Sequence, residues 1–451
     1  MTKNDFYGIN INMHGYKIKL LLFISIVLFT GALISSAIFF GYIYIRNLEI
    51  MPSPINLKNN FWKVQSIDTM KFSRDLAREK LHDPAFDAVI DEQIRNIALT
   101  GATHVSIATP YDEEFIPFLN KWVTAARKYK LNVWFRGNFS GWEGWFEYKK
   151  ITQGEHIIKT SEFIINNPEI FKDNDIFSSC TECENGVLGD PRNTGDIAGF
   201  REFIINEYEA AQAAFLKINK QVNANYFPMN GDVARLIMDK KTTEKLKGVV
   251  VIDHYVATPE ILSGDIKEII DISGGEVMLG EFGYPIPDIH GELNTVKQAT
   301  WINEALGLIK EIKGVVGVNY WSNIRSSTAI WNENGVARPA VAVLAGYFKP
   351  KSFSGIVTDE IGRPIAGAKV KIYDNLTSES GQNGNFQALL TADKPSILII
   401  WAPGYINKSI NIADNDNFVN IILEKKEKNL FFKFLFFLKT QLASQTFIKD
   451  I

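Results

Sequence analysis

Three patterns of apolar and polar positions succeed one another along the chain. From Leu20 to Ile45 no residue is charged, a run longer than the ~20 apolar residues a bilayer-crossing helix needs. From Phe61 to about Pro350 short apolar or β-branched runs alternate with amphipathic stretches. The runs Trp62–Ile67, His104–Ala108, Val133–Phe135, Ile176–Ser179, Val222–Tyr226, Val249–Ile252, Val277–Leu279 and Val315–Tyr320 predict strands. Phe86–Thr100, Phe115–Tyr129, Gly199–Ile218 and Ala299–Ile312 predict helices between them. From Phe353 the pattern becomes short alternating runs with frequent turn residues and no helical period, which predicts a small all-β sandwich.

Eight strand–helix units predict an α/β fold, a (β/α)8 TIM barrel of ~250 residues plus insertions. The competing architecture is a doubly wound open sheet, but no G-x-G-x-x-G follows the first strand and there is no P-loop. The chain then divides into a cytoplasmic N-terminus 1–19, a transmembrane anchor 20–45, a linker 46–60, the barrel 61–350, the sandwich 351–425 and a hydrophobic, basic tail 426–451. Lys17 and Lys19 precede the apolar run and Arg46 follows it, which favours a cytoplasmic N-terminus with the rest outside. The run is too long for the ~7–15-residue core of a signal peptide, and no small-residue cleavage site follows. The expected location is the cell membrane, single-pass, with the barrel extracytoplasmic.

Composition narrows the chemistry. The 451 residues carry 48 Lys+Arg against 51 Asp+Glu, a net charge of −3, so no basic surface speaks for nucleic acid. With 46% hydrophobic residues, large-scale disorder is not expected. Two cysteines exclude a disulfide-stapled scaffold and a four-cysteine zinc site. Cys180 and Cys183 read as small apolar residues packing a strand end, with a local disulfide as the alternative. The rim offers one histidine, so no metal or cofactor is expected.

In a barrel the chemistry sits where strands end. Asp68, Lys71 and Arg74 follow the first strand. Arg136 and Asn138 follow the third, with Trp142 and Trp145 in the next loop. Thr181, Glu182 and Glu184 follow the fourth, and Tyr226 and Asn230 the fifth. The sixth ends in Asp253-His254-Tyr255, the seventh in Glu281-Phe282-Gly283-Tyr284, and the eighth in Tyr320-Trp321. Strands four and seven face each other across the mouth, so Glu182 and Glu281 form a carboxylate pair suited to glycoside hydrolysis, one as acid and one as nucleophile or base.

Leu279-Gly280-Glu281-Phe282-Gly283 resembles the strand-seven nucleophile motif of the retaining (β/α)8 glycoside hydrolases, cellulase- and mannanase-like, over most of Phe61–Pro350. The resemblance implies Glu281 as nucleophile, Glu182 as acid/base, His254 and Tyr255 as the strand-six pair near the nucleophile, and Trp321 as the aromatic under the bound sugar. The family's Asn-Glu-Pro at strand four is here Thr181-Glu182-Cys183, which leaves Glu184 as a rival acid. Arg136 is the candidate to hold Glu281 ionised. Trp142 and Trp145 read as sugar subsites or as lid packing. The expected substrate is an oligo- or polysaccharide. The alternative is an inactive barrel that binds glycan or protein at a surface.

Gly355-Ile356-Val357-Thr358-Asp359, Pro364-Ile365-Ala366-Gly367-Ala368 and the turn from Gly381 to Phe386 resemble the carboxypeptidase regulatory-like domain, a transthyretin-like sandwich, which implies a spacer or accessory role. Trp401 and Tyr405 are its candidate contacts, core packing being the other reading. The apolar tail segment Leu430–Leu438 is too short to span a bilayer.

Overall fold

The computed structural model describes residues 60–372, 376–390, 396–412 and 418–426. The predicted anchor 20–45 and the tail from 427 lie outside the described residues. Among those described, no helix is long and apolar enough to cross a membrane.

The first eight strands are β1 (Val64–Asp68), β2 (His104–Ile107), β3 (Asn132–Phe135), β4 (Ile176–Phe177), β5 (Pro228–Asn230), β6 (Val249–Asp253), β7 (Glu276–Phe282) and β8 (Val315–Tyr320). They pair in parallel in the order β4-β3-β2-β1-β8-β7-β6-β5. The ring closes where Ile176 bridges Asn223 in parallel, with the Phe177 N–H donating to the Asn223 carbonyl at 2.9 Å. A parallel sheet covered on both faces needs near-continuous apolar strands, as in Val249-Val250-Val251-Ile252. Inside the ring Val64, Trp134, Ile176, Tyr226, Val251, Met278 and Val316 pack together.

The outer helices are α1 (Phe86–Leu99), α2 (Ile116–Lys128), α3 (Gln153–Asn166), α4 (Ile197–Lys217), α5 (Gly231–Ile237), α6 (Pro259–Ser273), α7 (Thr295–Ile309) and α8 (Pro339–Phe348). Their starts carry side chains that satisfy free backbone donors. Thr152 and Glu155 form a capping box on α3, Asp196 caps α4, and Thr258 caps α6 with Pro259 in its first turn. The (β/α)8 barrel predicted from periodicity is therefore the observed architecture.

One strand is displaced. The run Val222–Tyr226 was expected to be β5, but it touches the sheet only through Asn223, and regular pairing with β6 begins at Pro228. The polar Asn223 and Asn225 interrupt that run, and the Asn225 amide is spent on the Leu246 carbonyl at 3.0 Å.

After α8 the chain enters a sandwich with seven strands among the described residues. One sheet holds β10 (Lys369–Ile372), β11 (Leu376–Glu379), β13 (Ser396–Trp401) and β14 (Lys408–Ile412). The other holds β9 (Lys351–Asp359), β12 (Asn385–Leu390) and β15 (Phe418–Leu423). Alternate residues of β9 point inward, and Phe353, Val357, Val370, Phe386, Leu398, Ile400 and Ile421 form a core of their own.

Candidate active site

The residue at the end of β7 is aimed by an irregularity in the strand. Asp253 of β6 pairs with Glu281 directly after Ile252 pairs with Leu279, so Gly280 is an extra residue, and the register to β8 shifts at the same place. Bulges of this kind redirect a side chain at a sheet rim. Only glycine fits: a Cβ at Gly280 would stand 2.4 Å from Asp253 Oδ1. The freed Gly280 carbonyl accepts from Arg136 Nη1 at 2.7 Å and from Asn319 Nδ2 at 2.8 Å.

Arg136, at the end of β3, is buried in the barrel mouth beneath Glu281. Its Nη2 reaches Glu281 Oε1 at 2.9 Å and Asp253 Oδ2 at 2.8 Å, and its Nη1 lies 3.5 Å from Asp68 Oδ2. Tyr255 donates its hydroxyl to Glu281 Oε2 at 2.7 Å. Glu281 thus has a donor on each oxygen. One guanidinium serves three carboxylates, however, and burial pushes Glu281 up to about 7 against the opposing pull of Arg136. Burial drives Asp253 well above the usual carboxylate range against the pull of Arg136. Asp68 is better served, with Oδ1 accepting from the Met70 N–H and Oδ2 from Ser106 Oγ, both at 2.6 Å.

Glu182 stands across the mouth. It adopts a left-handed backbone, φ 47°, ψ 56°, and its N–H donates to the Pro228 carbonyl at 2.8 Å. Its carboxylate accepts from Asn185 Nδ2 at 3.1 Å. Burial raises its pKa, the neighbouring Glu184 adds to the rise, and the more distant Arg136 and Arg74 oppose it. Glu184 is buried, with Oε1 taking the Asn230 N–H at 2.8 Å and Asn230 Nδ2 at 3.0 Å. The chain thus presents Glu182 to the mouth and ties Glu184 to the end of β5.

The other expected site residues divide. Trp321 is half-buried, set edge-on to Tyr255 at 6.0 Å, with Lys71 Nζ 5.5 Å from its ring. Trp145 is half-buried under the Arg74 guanidinium at 4.6 Å. Trp142 is fully enclosed, stacked on Phe203 of α4 at 4.8 Å and 10°, so neither face is open to a sugar. Asn138 is likewise enclosed, its Oδ1 taking the Phe139 N–H at 2.8 Å and its Nδ2 donating to Glu143 Oε1 at 3.0 Å. His254 turns away from the mouth to Asp265 of α6 at 2.7 Å. Tyr226 is not at the mouth. With β5 displaced toward Asn230, Tyr226 falls inside the ring against Trp134 and lines a polar cavity of about 640 Å³ at the strand starts, with Lys63, His104 and Glu276. Cys180 and Cys183 are joined as a disulfide at the end of the β4 segment.

Three mouth residues have no role in the sequence analysis. Asp68 and Asp253 were placed on the rim by their strand ends but given no function. Glu143 sits between the two loop tryptophans, and burial pushes it up to about 8.

No protein-family model matches the sequence, and no curated protein matches it. Among solved structures, the chain is similar to a beta-glycosidase at 13% identity, over 66% of this chain and 97% of that one, with a TM-score of 0.44. It is similar to a GH5_18 protein from Bifidobacterium longum subsp. longum, in complex with Manb1-4GlcNAc, at 14% identity over 68% and 86% of the two chains, TM-score 0.47. A beta-D-glucuronidase of Dictyoglomus thermophilum aligns at 15% identity over 64% of this chain and only 50% of its own, TM-score 0.42. Likenesses this distant leave the site's own geometry to carry the functional reading.

Proposed function

We propose that the barrel is a retaining glycoside hydrolase, with Glu281 as nucleophile and Glu182 as acid/base, held at the outer face of a membrane by residues 20–45. The observation that carries this is the unequal provision of donors to two carboxylates on opposite strands of one mouth. Glu281 receives Arg136 at 2.9 Å and Tyr255 at 2.7 Å, whereas Glu182 receives one amide at 3.1 Å. A single proton shared by the pair therefore rests on Glu182, and the anion rests on Glu281.

From this state Glu182 protonates the glycosidic oxygen as Glu281 attacks the anomeric carbon. The C–O bond to the leaving group breaks as the bond to the Glu281 carboxylate forms. Glu182, now ionised, then takes a proton from water, which displaces Glu281 and releases a sugar of retained configuration. Half-buried Trp321 and Trp145 are the surfaces for sugar rings. The sandwich is read as a carboxypeptidase regulatory-like accessory module.

The test is a pair of variants on aryl glycosides. Glu281→Ala abolishes turnover, and azide restores it with an inverted glycosyl azide. Glu182→Ala keeps turnover of substrates whose leaving group needs no proton and loses the rest. If Glu184→Ala shows that leaving-group dependence instead, the acid assignment is wrong.

A further inference from the structure

A buried chain of polar side chains runs from the helical shell to the barrel mouth, and the two-carboxylate mechanism makes no use of it. Glu207 of α4 is fully enclosed. Its Oε2 accepts from Thr160 Oγ1 at 3.0 Å, and its Oε1 meets His156 Nδ1 at 2.6 Å. His156, on α3 and equally enclosed, places Nε2 2.9 Å from Asn138 Oδ1. Asn138 Nδ2 in turn donates to Glu143 Oε1 at 3.0 Å.

The order of donors in this chain is fixed. An amide oxygen only accepts, so the imidazole carries a hydrogen on Nε2, and the amide of Asn138 is locked with its NH2 toward Glu143. A carboxyl and an imidazole with no exposure are expensive to bury, and deleting either leaves the other unpaired. The chain has one outlet, Glu143. That carboxyl is the only member at the surface of the mouth, and its Oε2 has no hydrogen-bond partner among the described residues. The charges of Arg74, Glu182 and Glu184 all act on it, which puts it in the same mouth as the acid/base.

We propose that Glu143 is a glycan-binding carboxyl whose Oε2 hydrogen-bonds a sugar hydroxyl, and that Glu207, His156 and Asn138 are positioning residues that hold it in place. The proposal rests on the glycosidase reading and adds a contact to it. Burial that keeps Glu143 protonated around neutral pH makes Oε2 able to donate as well as accept. The Asn138 side chain thus acts on substrate through Glu143 and does not touch it.

The test uses the full chain and a panel of 4-nitrophenyl β-glycosides, with kinetics on the member that the unaltered protein turns over fastest. Glu143→Ala removes both carboxyl oxygens, and with them the donor and acceptor offered to the sugar. The expected result is a kcat/KM lower by about ten- to a hundredfold, the range for a lost hydrogen bond to a carboxyl, carried by KM. Asn138→Ala gives the same KM-weighted loss, and combining the two adds little, because both act on one contact. A KM for Glu143→Ala within twofold of the unaltered protein, with Glu281→Ala inactive, overturns the proposal and leaves the glycosidase reading standing. No turnover of any panel member, or turnover kept by Glu281→Ala, overturns the glycosidase reading and this proposal with it. If Asn138→Ala fails to fold, Glu143→Ala alone decides.

Discussion

Arg136 is the residue on which the mouth's electrostatics turn. It is enclosed, and its guanidinium is shared by Asp68, Asp253 and Glu281, which come from three different strands. Removing one partner of a buried ion pair costs about 3–5 kcal/mol, because the charge left behind is neither solvated nor paired. Arg136→Met should therefore lower stability by roughly that amount at neutral pH. The pH dependence has a definite sign. Burial already lifts Glu281 to about 7 and Asp253 well above its ordinary range despite Arg136, and without the arginine both rise further. A carboxyl with a raised folded-state pKa contributes stability that is complete below the ordinary carboxylate range and is lost as pH climbs through the folded value. The charge part of the Arg136→Met deficit should accordingly grow as pH climbs above about 7 and level off below it. Urea unfolding at several pH values measures it, and a deficit that stays constant would mean that the arginine acts through packing rather than charge.

At the level of elements, the barrel was legible because its strands are buried on both faces and so read as apolar runs. β8 has the predicted bounds, Val315–Tyr320, and α1 and α2 lie within a residue of theirs. The carboxylate pair was legible for a related reason, since strand ends mark the mouth. What the sequence could not show depends on register and on contacts distant along the chain. The Gly280 bulge exists only relative to β6 and β8. His156 and Glu207 lie on different helices, 51 residues apart, with nothing local to join them. The displacement of β5 likewise follows from pairing with β6, and it decides the fate of Tyr226. These placements separate the aromatics experimentally. Trp142→Ala and Tyr226→Ala should each cost about 3–5 kcal/mol, the range for emptying a large buried aromatic site. Trp145→Ala and Trp321→Ala should leave stability within about 1 kcal/mol, since partly exposed side chains give up less buried area. They should raise KM instead. Equal stability losses in all four would remove the distinction between core and subsite.

For the whole molecule, two cores suffice to separate barrel from sandwich. The barrel's shell is built from its own strands and helices, and the inward residues of β9 to β15 pack on one another. The segment 61–350 alone should therefore unfold in one cooperative transition, and calorimetry of the full chain should resolve a second. Attachment to the membrane is a separate claim, resting on the uncharged run Leu20–Ile45 between Lys17, Lys19 and Arg46. Placing a lysine or arginine at the centre of a spanning helix costs about 2.5–3.5 kcal/mol on insertion scales, so a long run without one reads as a spanning segment. Positive residues hold their side in the cytoplasm, and two lysines before the run against one arginine after it favour an outward barrel. Protease added to intact cells should cleave the exposed part of the chain, and alkaline carbonate should leave the protein in the membrane fraction. Replacing Lys17 and Lys19 with glutamine should weaken that orientation, since the excess of positive residues before the run is then lost. A barrel protected from protease in intact cells, or one recovered soluble and shortened at the N-terminus, would contradict the anchored, outward-facing arrangement. The glycosidase reading would survive either result, because the mouth is built entirely from residues after Phe61.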